Sequence, residues 1–328
     1  MKRFADLLAI VDIGRCERAD TDAALIVPSY LDTSYPFTSP RDRSYVREAL
    51  SQSYVAARLA DLPVALTRES DGITHDARLY LLPSAKQLLG PTWHELEAIA
   101  ADGATVYVSY SPGDNGHHPG PWYSRLNAMF GIRHQLRNGL VDPIEDEQVT
   151  LTFGTDFGTL AAGSVLTFSV AGNACGRAFL PVRPDGAEVI AADGRGRPAL
   201  LARRVGAGSI VLCTYPVEHM AAMTPQVNPD ATITLYDALA TYAGVARLVT
   251  VGDPRIAADV MVRSDGARFA WLVSQAAESV TVKPQLAAGL RLCPLDGGPA
   301  DGTITPADGT ITLDPFGVSV FALLEAGD

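Results

Sequence analysis

Two short stretches decide the fold: Leu79-Tyr80-Leu81-Leu82, closed by Pro83-Ser84, and Ala104-Thr105-Val106-Tyr107-Val108, opened by Asp102-Gly103. Each is a continuous apolar run of strand length, the mark of a strand buried on both faces of a parallel sheet. Between them Thr92 and Glu95 have the spacing of a capping box in front of Leu96, Ile99 and Ala100, and Gly103 ends the predicted helix. Upstream, Ala24-Leu25-Ile26-Val27-Pro28 is a third such run. It is followed by a predicted helix that Ser39 caps and Pro40 opens, with a stripe of Val46, Ala49, Leu50, Tyr54 and Ala57. Pro63-Val64-Ala65-Leu66 adds a fourth strand. This β-α-β-α-β rhythm predicts an α/β, doubly wound, flavodoxin-like sheet.

Beyond Gly116 the pattern changes. Trp122, Leu126, Met129 and Phe130 suggest a short helix, and runs such as 165–170, 187–191 and 199–205 alternate between Asp185-Gly186 and Asp193-Gly194 turns. Ser209-Ile210-Val211-Leu212-Cys213 is expected to rejoin the main sheet, and a last helix covers roughly 231–242. After Gly252-Asp253-Pro254 only strand patterns remain, which predicts a small all-β antiparallel sandwich. The expected division is 1–18 as a linker or remnant helix, 19–250 as the α/β domain and 251–328 as the sandwich.

Composition narrows the function classes. With 47% hydrophobic residues the chain has material for a substantial core, which excludes disorder. A net charge of -11 repels phosphate backbones, so nucleic acid is not an expected partner. No apolar run approaches the roughly 18 residues that span a bilayer, so no membrane partner is expected. Asp6 and Asp12 interrupt the N-terminal apolar stretch, whose Phe4, Leu7, Leu8 and Val11 instead mark an amphipathic helix; a cytoplasmic protein is expected. Cys16, Cys175, Cys213 and Cys293 form no Cys-x-x-Cys pair, so reduced thiols are expected, with no metal site and no cofactor.

The stretch 76–84, the capped helix and 102–106 together resemble the β-galactosidase trimerisation domain, a class I glutamine-amidotransferase-like module of clan-A glycoside hydrolases. Gly194-Arg195-Gly196-Arg197-Pro198-Ala199-Leu200 leading to Gly206-Ala207-Gly208-Ser209-Ile210 is similar to that family's return into the sheet. Trp271-Leu272-Val273 and Phe316-Gly317-Val318-Ser319-Val320-Phe321 are similar to its closing sandwich. The phrase Val27-Pro28-Ser29-Tyr30-Leu31-Asp32-Thr33-Ser34-Tyr35-Pro36-Phe37 resembles bacterial family 5 β-mannosidase-like enzymes, and the arrangement as a whole also resembles family 42 β-galactosidases.

The resemblance covers about 19–328. It implies a homo-oligomer, a trimer foremost, and a carbohydrate substrate. It also implies a preceding (β/α)8 barrel that supplies an acid/base and a nucleophile glutamate, about 5 Å apart in a retaining enzyme. A barrel takes about 250 residues, whereas only the helix read at 3–14 precedes the first buried strand. The barrel is therefore expected in cis, this chain being a fragment, or as a separate polypeptide, and no catalytic residue is expected here.

An amidotransferase-like fold also calls for a search for a nucleophile, histidine and carboxylate. Val108-Ser109-Tyr110-Ser111-Pro112-Gly113 carries no cysteine and no Gly-x-Ser-x-Gly, and Glu218 and His219 are adjacent rather than spaced. Ser109, Glu218 and His219 therefore read as a degenerate triad position. The loop 113–123 leaves the carboxyl end of a predicted parallel strand, where open α/β sheets bind ligands. Its Asp114, Asn115, His117, His118 and Trp122 are residue types that hydrogen-bond sugar hydroxyls or stack on sugar faces. Asp32 and Tyr35 follow the first strand at the same edge. An ordered interface loop is the competing reading. Metal binding by His117 and His118 is disfavoured because adjacent side chains diverge. Two other function classes remain open: a stand-alone carbohydrate-binding module and a degenerate amidotransferase-like hydrolase.

Overall fold

The computed structural model describes residues 2–19, 21–32, 40–84, 88–110, 126–135, 142–172, 176–224, 229–295 and 309–326. By contacts the chain divides into two units. One comprises Asp22–Ala56 and Val64–Val245; the other comprises Met1–Thr21, Ala57–Pro63 and Ala246–Asp328.

The first unit is built on a nine-stranded sheet. Its strands in chain order are β1 (Ala23–Val27), β2 (Val64–Arg68), β3 (Leu79–Leu82), β4 (Thr105–Ser109), β5 (Gln148–Phe153), β6 (Val165–Ser169), β7 (Glu188–Asp193), β8 (Pro198–Val205) and β9 (Gly208–Cys213). They lie in the order β2-β1-β3-β4-β9-β8-β7-β5-β6. The first five are parallel and the remainder antiparallel. Burial follows this division. β3, β4 and β9 are buried at every residue, whereas β5 and β6 alternate buried with exposed or half-exposed positions, as strands with one solvated face do. The runs read as a change of character after Gly116 are therefore an antiparallel extension of one mixed sheet.

The helices of this unit include α2 (Pro40–Leu59, whose last turn belongs to the other unit), α3 (Gly90–Ala101), α4 (Leu126–Phe130), α5 (Val217–Met223) and α6 (Pro229–Ala243); the N-terminal helix α1 spans Lys2–Val11. Trp93, Leu96, Ile99 and Ala100 of α3 pack with Val106, Val108, Ile210 and Leu212. Strand side chains alternate between faces, so Tyr107 points the other way, where its ring meets Tyr236 of α6 edge-on at 6.1 Å.

The capping box expected of Thr92 and Glu95 is not formed. Pro91 lies in the first turn, so the helix starts at Gly90 with Leu89 as its N-cap and no side-chain cap bond. Thr92 is thereby drawn inside the first turn, and the Glu95 carboxylate pairs with His75 instead. At the other end of α3, the β8–β9 turn approaches so closely that a Cβ on Gly206 (φ 56°) would lie 2.3 Å from the Ala101 carbonyl oxygen. Only glycine meets both demands.

The second unit holds a five-stranded antiparallel sheet. Its order is the short strand Cys16–Arg18, then β10 (Ile256–Arg263), β11 (Arg268–Ser274), β13 (Val318–Glu325) and β12 (Leu290–Pro294). Ile256, Ala258, Ala270, Leu272, Phe321 and Leu323 form one core with Val280, Val282 and Leu313. Phe269, Trp271 and Val320 face the other way and are covered by Leu7 and Val11 of α1. The amphipathic N-terminal stripe thus belongs with the C-terminal strands. Among the described residues no helix is long and apolar enough to cross a membrane.

Candidate functional site

The carboxyl ends of the parallel strands define one edge of the nine-stranded sheet, and a cluster of buried polar residues around Glu218 lies there. Glu218 stands at the start of α5, immediately after β9, and is fully buried. Tyr107 donates its hydroxyl to Oε1 at 2.8 Å, Tyr236 donates to the same oxygen at 3.2 Å, and Ser109 Oγ donates to Oε2 at 2.6 Å. Ser109 Oγ in turn accepts the Ser84 N–H at 2.6 Å, and Ser53 shares a hydrogen bond with the Tyr236 hydroxyl. All of these side chains are buried.

Burial raises the Glu218 pKa against the lowering effect of its hydroxyl partners, because a desolvated carboxylate with no cation among those partners is disfavoured. The same cause, with the Glu218 charge second, pushes the neighbouring Cys213 thiol up to about 12. Such a thiol is inert rather than nucleophilic.

His219 follows Glu218 by one residue, and consecutive helical residues do not share a face. Its ring is only 2% exposed, stacks on Tyr45 at 3.9 Å between centroids, and makes no hydrogen bond through either nitrogen. Nδ1 lies 4.0 Å from a Glu48 carboxylate oxygen. Gly172 and Gly176 admit the ring: a Cβ on either would come within 2.8 Å of it. Burial lowers the His219 pKa to about 4, against the raising effect of Glu48.

The structure therefore joins Ser109 to Glu218 and leaves His219 out. Of the degenerate triad position read at Ser109, Glu218 and His219, only the Ser109 hydroxyl contacts the carboxylate. That hydroxyl is not an activated one, because no imidazole stands between them and Ser109 is fully buried, whereas a working nucleophile needs an adjacent base and an approach for substrate. Burial favours the neutral form of Glu218, and the hydrogen bonds tie β4, the residue Ser84 after β3 and Ser53 of α2 to α5 and α6.

Asp32 closes the turn after β1 and accepts an ion pair from Arg68 at 3.5 Å. Asp114, Asn115, His117, His118, Trp122 and Tyr35 lie outside the described residues. Sequence reasoning missed Tyr107, Tyr236, Ser53 and Ser84. Tyr107 carried a signal, since a buried tyrosine hydroxyl requires a partner. Ser84 did not announce its backbone: φ is 47°, a left-handed value that non-glycine residues rarely adopt. Its Oγ is buried without a partner. No group of three metal-ligating side chains occurs among the described residues.

No family model and no curated protein matches this sequence. Solved structures do. A β-galactosidase from Bacillus circulans sp. alkalophilus superposes with a TM-score of 0.67 at 17% identity, covering 93% of this chain and 41% of its own. A β-galactosidase from Rahnella sp. R3 gives 0.68 at 15%, covering 97% and 43%. An α-L-fucosidase isoenzyme 2 from Paenibacillus thiaminolyticus gives 0.65 at 8%, covering 98% and 51%. At such identities the likeness is one of fold. The chain has a mixed α/β fold with additional antiparallel sheets, found as part of glycoside hydrolases. It spans about two fifths of the length of the two β-galactosidases.

Proposed function

We propose that this chain is the accessory, oligomerising portion of a retaining glycoside hydrolase of the β-mannoside or β-galactoside class. In this reading it carries no catalytic glutamate pair and works with a (β/α)8 barrel, in cis or as a separate chain, as a homotrimer. The observation that carries the reading is the asymmetry of coverage. Nearly all of this chain, 93% and 97%, corresponds to less than half of each β-galactosidase. The geometry agrees in one respect. Retaining hydrolysis needs two carboxyls about 5 Å apart flanking an accessible bond, whereas Glu218 is enclosed by hydroxyls and buried.

In this proposal the loop bearing Asp114, Asn115, His117, His118 and Trp122, with Asp32 and Tyr35, lends side chains to the barrel's sugar site. The test is hydrolysis of aryl β-mannosides and β-galactosides by the pure chain, alone and with the barrel polypeptide. The chain alone is expected to be inactive. With the barrel, His118→Ala and Trp122→Ala are expected to raise KM. Turnover by the isolated chain overturns the accessory role, and unchanged kinetics in both variants removes the loop from the site.

A further inference from the structure

The same sheet edge continues past the parallel strands. Cys213 of β9 pairs with Ser109 and with Leu200 of β8, Asp193 of β7 pairs with Leu151 of β5, and Gln148 pairs with Ser169 of β6. The β7–β8 turn, the start of β5 and the end of β6 therefore lie on the edge that also holds Glu218. They form an open cleft of about 820 Å³ with Asp146, Thr150, Asp193, Gly194, Arg195 and Arg197 in its lining, within the roughly 300–1,000 Å³ typical of small-ligand sites.

We infer that this cleft is a binding subsite for a neutral, hydroxyl-rich saccharide, separate from the Glu218 cluster and from any barrel. Its polar groups are held in place before any ligand arrives. The Arg197 guanidinium lies 4.1 Å over the Phe179 ring, which stacks on Tyr215 at 5.6 Å. Asp193 is fixed by the Arg195 and Arg197 N–H groups, Arg197 Nε and the Tyr215 hydroxyl, at 2.6–3.0 Å. Arg195 places Nη2 3.0 and 2.8 Å from the two Asp146 oxygens. Its Nη1 lies 3.9 Å from Glu145 Oε2, beyond hydrogen-bond range.

The charge pattern selects the ligand class. The lining has three carboxylates, Asp146, Glu147 and Asp193, against two guanidiniums, Arg195 and Arg197. Both arginines are already paired, and Glu147 is paired with Arg177 at 2.9 Å. An anion would meet net repulsion and a cation would have to break those pairs. Among the described residues two valines are the only large apolar side chains in the lining, too little to hold an apolar ligand or an amphipathic helix. A neutral polyol leaves the pairs intact and takes their outward donors and lone pairs, with the planar fork of Arg195 matched to adjacent hydroxyls. Gly194 presents bare backbone on the rim, where a Cβ would meet nothing within 4 Å.

This inference uses the proposed function only to choose the sugars. The full chain is titrated by calorimetry with β-1,4-mannobiose, β-1,4-galactobiose and, as an anionic arm, inorganic phosphate. Arg195→Ala and Asp146→Ala are titrated beside it. Both side chains are half exposed, and an unchanged Tm checks that each variant folds. Saturable millimolar binding of a disaccharide, weakened about tenfold or more by each variant as loss of a charge-assisted hydrogen bond requires, supports the subsite. Absence of saturable binding by both sugars, binding indifferent to both variants, or phosphate as the ligand that responds to them overturns it. Light scattering on the same samples separates the two ideas. A trimer that binds no sugar keeps the accessory role and removes the cleft. A monomer that binds with the predicted variant pattern does the reverse.

Discussion

Glu218 has hydroxyl partners and, among the described residues, no cation, so burial shifts it toward its neutral form. Its folded-state pKa is raised by burial. Stability from the neutral acid is therefore complete below the unfolded value, about 4.3, and is lost as pH rises through the folded value. Glu218→Gln keeps the shape and cannot ionise. In urea unfolding the variant is expected to be about 1 kcal/mol less stable than the natural chain at pH 5, with the gap closing or reversing by pH 9. Parallel pH profiles for the two proteins would mean that Glu218 is ionised throughout. His219 has the opposite sign. Its pKa is lowered to about 4, so stability is complete above about 6.5 and falls as pH drops toward 4, by roughly 3 kcal/mol. His219→Phe keeps a ring to stack on Tyr45 and removes this loss. From pH 7 to pH 4 the variant should gain on the natural chain by that amount. A constant difference would show that water reaches the imidazole.

The loop between β5 and β6 shows how an element is positioned by what it lacks. Gly158 (φ 56°) sits so close to α6 that a Cβ would fall 1.9 Å from the Ala238 carbonyl oxygen. That approach lets Phe157 stack on Tyr242 at 4.5 Å and Thr159 donate to Asp237 at 2.8 Å. Gly158→Ala must push the loop off the helix and is expected to cost about 2–4 kcal/mol. Gly163→Ala, in the same loop with φ 88° and open space around it, should cost only about 1–2 kcal/mol of backbone strain. Equal melting temperatures for the two variants would refute the close-packing account. What was legible at this scale follows the same physics. Strands buried on both faces, such as Leu79–Leu82 and the Val106–Val108 centre of Thr105–Ser109, showed as apolar runs, because burial on both sides admits polar groups only where they find partners, as Thr105 and Ser109 do. Strand β10, Ile256–Arg263, is weakly marked within the C-terminal strand pattern because Ala257, Ala258 and Asp259 dilute its alternation with residues that disfavour strands. The start of α3 was misplaced because a proline in the first turn outweighs a spacing that resembles a cap. At the site, Tyr107 and Ser109 lie two apart on β4 and share a face, a pairing the period of two does encode. Their common partner is 109 residues from Ser109, and no local pattern announces a contact closed only by the sheet.

For the molecule as a whole, charge and assembly pull against each other. A net charge of -11 means that copies of the chain repel one another, and repulsion between exposed charges reaches about 10 Å at 0.1 M salt but only about 3 Å at 1 M. An assembly held by apolar contact gains as salt rises, since screening removes the repulsion and leaves the burial of apolar surface intact. Assembly through interchain ion pairs would instead weaken. The proposed trimer is therefore expected to tighten between 0.05 and about 0.5 M NaCl, seen by light scattering at one protein concentration as a mass moving toward three chains. A mass that falls with salt would place ion pairs at the interface. A mass of one chain at every salt concentration would end the proposed oligomerising role and leave the proposed ligand sites as the remaining reading.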